Sequence, residues 1–193
     1  FTIVVITRVQ HVVAEKEASH FIIGYRFSPE EIEEPGIRFE DTMFLLNTLA
    51  EYEPDYFHIS ANSYQRTSIV NQEDTEPLIN KYIKMQSAQL AKIPLIGVGS
   101  IAQRQDAEHA LELGYDLLSV GKAYLVEPQW TDKISQNEEV EQFVDIHDQK
   151  VLHIPSPLWK VMDFMILDKE EEHRKYERLK ALQNKKVKFN KGT

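Results

Sequence analysis

The chain has no cysteine and only seven glycines in 193 residues. Without thiols there is no disulfide framework and no thiolate metal site. The formal net charge is −9, and no basic stripe appears ahead of the terminal lysines. That excludes the electrostatic footprint of a protein that grips nucleic acid by its phosphates. No apolar run is long enough to cross a bilayer, and no secretory leader pattern is visible. These absences lead to the expectation of a soluble cytoplasmic protein. The chain also lacks a starting methionine. Phe1 to Val13 already reads as helix interior, with Phe1, Val5, Val9, Val12 and Val13 on one face and no capping residue ahead. A chain that opens inside a helix is expected to belong to something longer.

What is present alternates between short apolar strands and amphipathic helices. Phe21 to Arg26 is an apolar run ending in a cation, followed by a polar, acidic loop over Pro29 to Pro35. Asp41 can cap a helix through about Tyr52, with Phe44, Leu45, Leu49 and Tyr52 facing inward. Asp55 to Ser60 reads as a strand, Ala61 to Asp74 as a long polar loop and Glu76 to Ala91 as a helix. Pro94 to Gly99 reads as a strand, Gln103 to Leu113 as a helix stopped by Gly114, and Leu117 to Gly121 as a strand. Apolar strands at this spacing fit βαβ crossovers in a parallel α/β sheet covered on both faces. Beyond Gly121 the pattern changes. Glu138 to Val144 suggests a helix, Val151 to Pro157 an extended segment, Trp159 to Leu167 an apolar stretch and Asp168 to Lys188 a solvated terminal helix with i,i+4 charge pairs. The expected division is 1–150 for the α/β body and 151–193 for an extension.

Two strand ends carry glycine: Ile96-Gly97-Val98-Gly99-Ser100 and Leu118-Ser119-Val120-Gly121-Lys122. Glycine allows a sharp bend and a close approach to the main chain, where free N–H groups can face an anion. Neighbouring parallel strands with such ends form a cup suited to one phosphate. Other readings fit less well. Gly97 to Ala102 matches the loose dinucleotide fingerprint, but the next strand ends in Gly121-Lys122 rather than in a ribose-binding acid, and Asp116 lies at its opposite end. A P-loop would need Ser or Thr where Ala123 stands. His11, His20, His58, His109, His147, His153 and His173 form no metal-ligand spacing, so no metal is expected. Arg26, at a strand's C-terminal end, can stabilise negative charge on a bound ring or form an ion pair across the sheet's mouth. The residues alone leave both open.

Taken together, several motifs resemble one family. Gly24-Tyr25-Arg26-Phe27-Ser28-Pro29-Glu30-Glu31 resembles the G-x-R-x-S-P stretch of the Old Yellow Enzyme family, the FMN-dependent NADH:flavin oxidoreductases and ene-reductases. Asp55 to Ser60 is similar to that family's following strand, and Pro94 to Ile101 with Asp106-Ala107-Glu108 to its seventh strand and helix. Val120-Gly121-Lys122-Ala123 with Glu127-Pro128-Gln129-Trp130 resembles its eighth-strand signature. The resemblance runs from Phe1 to about Trp130.

It implies a TIM-type (β/α)₈ barrel with FMN at the C-terminal mouth and NAD(P)H as co-substrate, of which this chain carries about the last four β/α units plus a C-terminal helical tail. It implies that Arg26 lies against the pyrimidine end of the flavin, and that amides around Gly99, Ser100, Gly121 and Lys122 hold the FMN phosphate. Lys122 stands where the family usually has arginine; it supplies charge but no planar fork. The family's first four strands, which carry the substrate-anchoring pair and the proton donor, have no counterpart here, so no catalytic residue is assigned. The expected activity is hydride transfer from NAD(P)H through FMN to an activated alkene or similar acceptor, with this stretch inactive alone. The expected partners are a small-molecule substrate and either a second copy or the missing half of the barrel, without nucleic acid or membrane. Another phosphate-binding barrel enzyme, such as a sugar-phosphate isomerase or lyase, and a non-catalytic self-associating module are the alternatives. Four strands taken from eight leave two open edges and uncovered apolar layers.

Overall fold

A computed structural model describes residues 1–141 and 154–160. The chain divides into two compact units, one of residues 1–124 and 129–140, the other of 125–128 and 141–193. In the second, Val126, Glu127 and Ile154 are buried. The boundary expected at 150/151, the apolar stretch of Trp159 to Leu167 beyond residue 160, and the helix expected over Asp168 to Lys188 lie outside the described residues.

The elements run α1 (Thr2–Glu15), β1 (Gly24–Phe27), α2 (Phe39–Ala50), β2 (Tyr56–Ile59), α3 (Leu78–Met85), a 3₁₀ turn (Leu90–Lys92), β3 (Leu95–Val98), α4 (Arg104–Glu112), β4 (Leu117–Ser119), α5 (Lys122–Val126) and α6 (Trp130–Ser135). The strands form one sheet in sequence order, every pair parallel. Strand order equal to chain order, with a helical crossover each time, is how consecutive units of a β/α barrel succeed one another.

Register sorts the side chains into two faces, because successive residues of a strand point to opposite sides. Tyr25 pairs with Phe57, Phe27 with Ile59 and Phe57 with Leu95. This is the helix-covered face, and Phe57 is fully buried at its centre, edge-on to Tyr25 and Phe27. Met43, Leu46, Leu49 and Ala50 of α2 and Leu78 and Ile79 of α3 belong to the same core cluster. The other face presents Arg26, His58, Ile96 and Leu117 in one row across the four strands. Arg26 and Leu117 there are exposed.

A repeated device sets the strand starts. Asp55, before β2, accepts the Ile23 N–H, and Asp116, before β4, accepts the Leu95 N–H at 2.8 Å. Each carboxylate ties the strand that follows it to the start of its neighbour. This accounts for Asp116 at the start of β4, the end opposite Gly121 and Lys122.

Several expectations need correction. Asp41 caps α2 from inside the first turn, at its third position, where it accepts the Arg38 N–H. Phe44 is 76% exposed rather than inward. The buried stripe is Phe39, Thr42, Met43, Leu46, Leu49 and Ala50, and Phe44 falls about 100° away from it. The helix expected to reach Ala91 stops at Met85. Asn47 of α2 donates to the Met85 carbonyl and accepts the Ser87 N–H, so Gln86 between them is extended. Residues 138–141 are not helical; α6 ends before them, at Ser135, and Asn137 just after it takes a left-handed φ of 59°. The apolar face read on α1 is largely uncovered: only Ile6 is buried, while Phe1, Val4, Val5 and Val12 are exposed. Beside it, Phe21, Ile22, Gly24, Tyr25 and Tyr56 line an open groove of about 630 Å³.

Candidate functional site

The parallel strands all end on one rim, and the residues singled out from the sequence lie along it. Arg26 is the penultimate residue of β1, Gly99 and Ser100 follow β3, and Gly121 and Lys122 follow β4 by two and three residues. Neighbouring strands are separated by ~4.8 Å, so Arg26 on β1 stands roughly 10–14 Å across the sheet from the β3 and β4 ends.

Arg26 belongs to none of the ion pairs found among the described residues. Its neighbour in register is His58 of β2. Burial first, and then the Arg26 charge, hold the His58 imidazole below its ordinary titration range. Nε2 of His58 is buried without a hydrogen-bond partner.

The β3 end bends through two consecutive left-handed residues, Gly99 at φ +98° and Ser100 at φ +55°. The reason for glycine at 99 differs from the one expected. A Cβ there would stand 2.4 Å from the Asn62 carbonyl carbon and 2.5 Å from the Ser63 nitrogen. Protein backbone, not vacant space, lies against Gly99. The two loops are bonded together: Tyr64 N–H donates to the Gly99 carbonyl at 3.0 Å, and Ser100 Oγ donates to the Asn62 carbonyl at 3.0 Å. Tyr115 adds a third tie, its ring over Gly97 and its hydroxyl donating to the Tyr64 carbonyl. Burial pushes that phenol up to about 12, so it donates throughout the physiological range. Gly121, by contrast, has nothing within 4 Å of where a Cβ would stand. The backbone N–H groups of Ser100 and Gly121 donate to no acceptor among the described residues. Among the described residues the rim thus offers backbone donors without acceptors, one open glycine and an arginine without an ion pair, a set suited to an anionic ligand with an electron-rich ring.

Further residues support the rim and were not assigned from the sequence. Glu30 is buried, accepting the Ser68 hydroxyl and the Ile69 N–H, each at 2.9 Å. It clips the loop after Arg26 to the loop after β2. Asp106 accepts the N–H groups of Ala102 and Gln103, and the Trp130 indole donates to the Ala102 carbonyl at 2.7 Å. Asp106 and Trp130 therefore fix the turn between Gly99 and α4. Spacing carried a signal for Asp106, as an acid in the first turn of a helix; Glu30 and Trp130 act over long sequence separations that no local pattern reports. Replacing Glu30 with alanine is expected to lower stability by roughly 2–3 kcal/mol, because two donors lose a charged acceptor. Urea denaturation monitored by circular dichroism checks this, and an unchanged midpoint would refute the clip.

Among the described residues no helix is long and apolar enough to cross a membrane. Among curated proteins, the chain is 57% identical over 192 residues to an NADH:acrylate oxidoreductase of Vibrio harveyi, covering all of this chain and 19% of that protein. It is 50% identical over 150 residues to an NADH:fumarate oxidoreductase of Klebsiella pneumoniae, covering 77% of this chain and 16% of that protein. A probable NADH-dependent flavin oxidoreductase of Bacillus subtilis is 34% identical over 167 residues, 84% of this chain and 43% of that protein. The chain thus spans less than a fifth of the first two relatives and under half of the third. Among solved structures, morphinone reductase superposes with a TM-score of 0.43 at 14% identity, over 62% of this chain and 30% of that one. The model of the NADH:flavin oxidoreductase / NADH oxidase family matches residues 1–141, the stretch that holds the whole rim, and the chain belongs to that family.

Proposed function

We propose that this chain supplies the C-terminal half of an FMN-dependent oxidoreductase barrel, with residues 1–150 forming the half-barrel and 151–193 an extension. The observation that carries the proposal is Arg26: an exposed cation on the uncovered face of the sheet with no carboxylate paired to it among the described residues. Among the described residues the ion-pair alternative left open by the sequence lacks its acid. FMN fits the spacing of the rim, because its ribityl chain separates an electron-rich ring from a phosphate, and the rim separates Arg26 from the β3 and β4 ends.

Bound FMN would supply two-electron chemistry, accepting hydride from NADH and passing it on. The chain's own contribution is binding and electrostatics. Arg26 would hold positive charge at the pyrimidine edge of the ring, where negative charge develops on reduction. The N–H groups of Ser100 and Gly121 would donate to the phosphate, with Gly99 shaping the bend and Lys122 adding charge. The names of the two closely similar relatives suggest a small α,β-unsaturated carboxylate as final acceptor. The residues that would anchor it belong to strands outside this chain, so the partner that completes the site is the other half of the barrel.

The test is an FMN titration of the flavin-stripped full-length protein, with inorganic phosphate and a sugar phosphate as competitors. Saturable binding at one site that phosphate weakens is expected. Binding of the sugar phosphate with indifference to FMN would favour the isomerase or lyase reading instead.

A further inference from the structure

We infer that His58 is a positioning residue: with the flavin bound, its imidazole, beside Arg26 on the same face of the sheet, would accept a hydrogen bond from the guanidinium, a bond absent from this structure, and hold that cation in place for the ring. The inference rests on the flavin reading of Arg26 given above.

Three observations lead to it. Arg26 and His58 are register partners on adjacent parallel strands, so their side chains leave the sheet on the same face. Continuing along that row, Ile96 and Leu117 are apolar and offer the imidazole neither donor nor acceptor. Nε2 of His58 is shielded from solvent yet bonded to nothing. Buried polar atoms without partners are uncommon and call for an explanation. A neutral imidazole has one lone pair to offer, and a guanidinium has five N–H donors and no acceptor. The nearest matching donor in the row is Arg26, whose own side chain pairs with no carboxylate among the described residues.

The charge states agree with this assignment. A protonated imidazole beside the guanidinium would repel it and could not accept a hydrogen bond. Burial and the Arg26 charge both keep His58 neutral. Histidine here thus supplies an acceptor without supplying a countercharge. A carboxylate in its place would neutralise Arg26 and cancel the field that the flavin ring is meant to feel.

The test is a double-mutant cycle in the full-length flavoprotein, reading FMN dissociation constants by flavin fluorescence and midpoint potentials by dye equilibration. His58→Leu is expected to weaken FMN binding by about tenfold, the loss of one charge-assisted hydrogen bond. His58→Gln, whose side-chain amide oxygen can accept in the Nε2 position, is expected to stay within about twofold of the parent. In an Arg26→Ala background, His58→Leu is expected to add nothing. Equal losses with and without Arg26, equal losses for Gln and Leu, or no loss for Leu would each overturn the inference. No effect of Arg26→Ala itself would instead overturn the flavin reading beneath it. If the leucine variant does not fold, the ¹⁵N shift of His58 Nε2 decides: it should move on Arg26→Ala, and an unmoved shift refutes the hydrogen bond.

Discussion

Gly99→Val is expected to lower stability by roughly 2–4 kcal/mol and FMN affinity by about a hundredfold. Two costs add. A β-branched residue at φ +98° occupies a region that L side chains rarely adopt. Its Cβ would also overlap the backbone of Asn62 and Ser63, which cannot rotate aside as a flexible side chain could. Relieving that overlap separates two bonded loops, breaking the contacts from Tyr64 N–H to Gly99 and from Ser100 Oγ to Asn62. The bend that carries the Ser100 N–H is then lost. Gly121→Ala is the matched control. Its Cβ meets nothing within 4 Å, so the fold should be indifferent while bound FMN is not. Denaturant midpoints and FMN titrations on both variants check this. A stable Gly99→Val protein with parental affinity would refute the argument.

The contrast between these glycines shows how far the sequence could be read. Gly-x-Gly at one strand end and Gly-Lys at the next marked two chain reversals, which the structure has at the ends of adjacent parallel strands, because glycine at the end of a short apolar run marks a bend wherever it occurs. The cause of the first bend was not legible. Gly99 is required by the loop after β2, 37 residues earlier, and nothing near Gly99 in the sequence encodes that approach. Helix phases show the same limit. The periodicity of 39–50 identified a helix and put Leu45, Leu49 and Tyr52 against the core, but Phe44, one position beyond Met43, faces solvent. The end of α3 was hidden for a related reason. Good helix formers continue past Met85, and it is the Asn47 side chain, from a different helix, that ends the helix there. Local chemistry was visible in the sequence; contacts across the crossovers were not.

Removing the Arg26 guanidinium should have the most direct consequence for function. Arg26→Ala is expected to weaken binding of reduced FMN about a hundredfold more than binding of oxidised FMN, the magnitude typical of deleting one preorganised charged donor. Because affinity and potential are linked, that ratio corresponds to a two-electron potential lower by roughly 60 mV. The effect follows from where Arg26 stands. On the covered face, among Tyr25, Phe57 and Leu95, its charge would need a buried carboxylate partner. On the uncovered face it has none among the described residues, its neighbour in register is a neutral imidazole, and the next two residues of the row are Ile96 and Leu117. An apolar row with one uncompensated cation amplifies that charge for whatever ring covers it. Arg26→Lys should recover part of the potential, since charge is kept and the planar fork is lost. Potentiometric titration of the flavoprotein against a reference dye reads both variants. A potential unchanged in Arg26→Ala would mean that the flavin ring lies elsewhere, and that Arg26 serves another ligand.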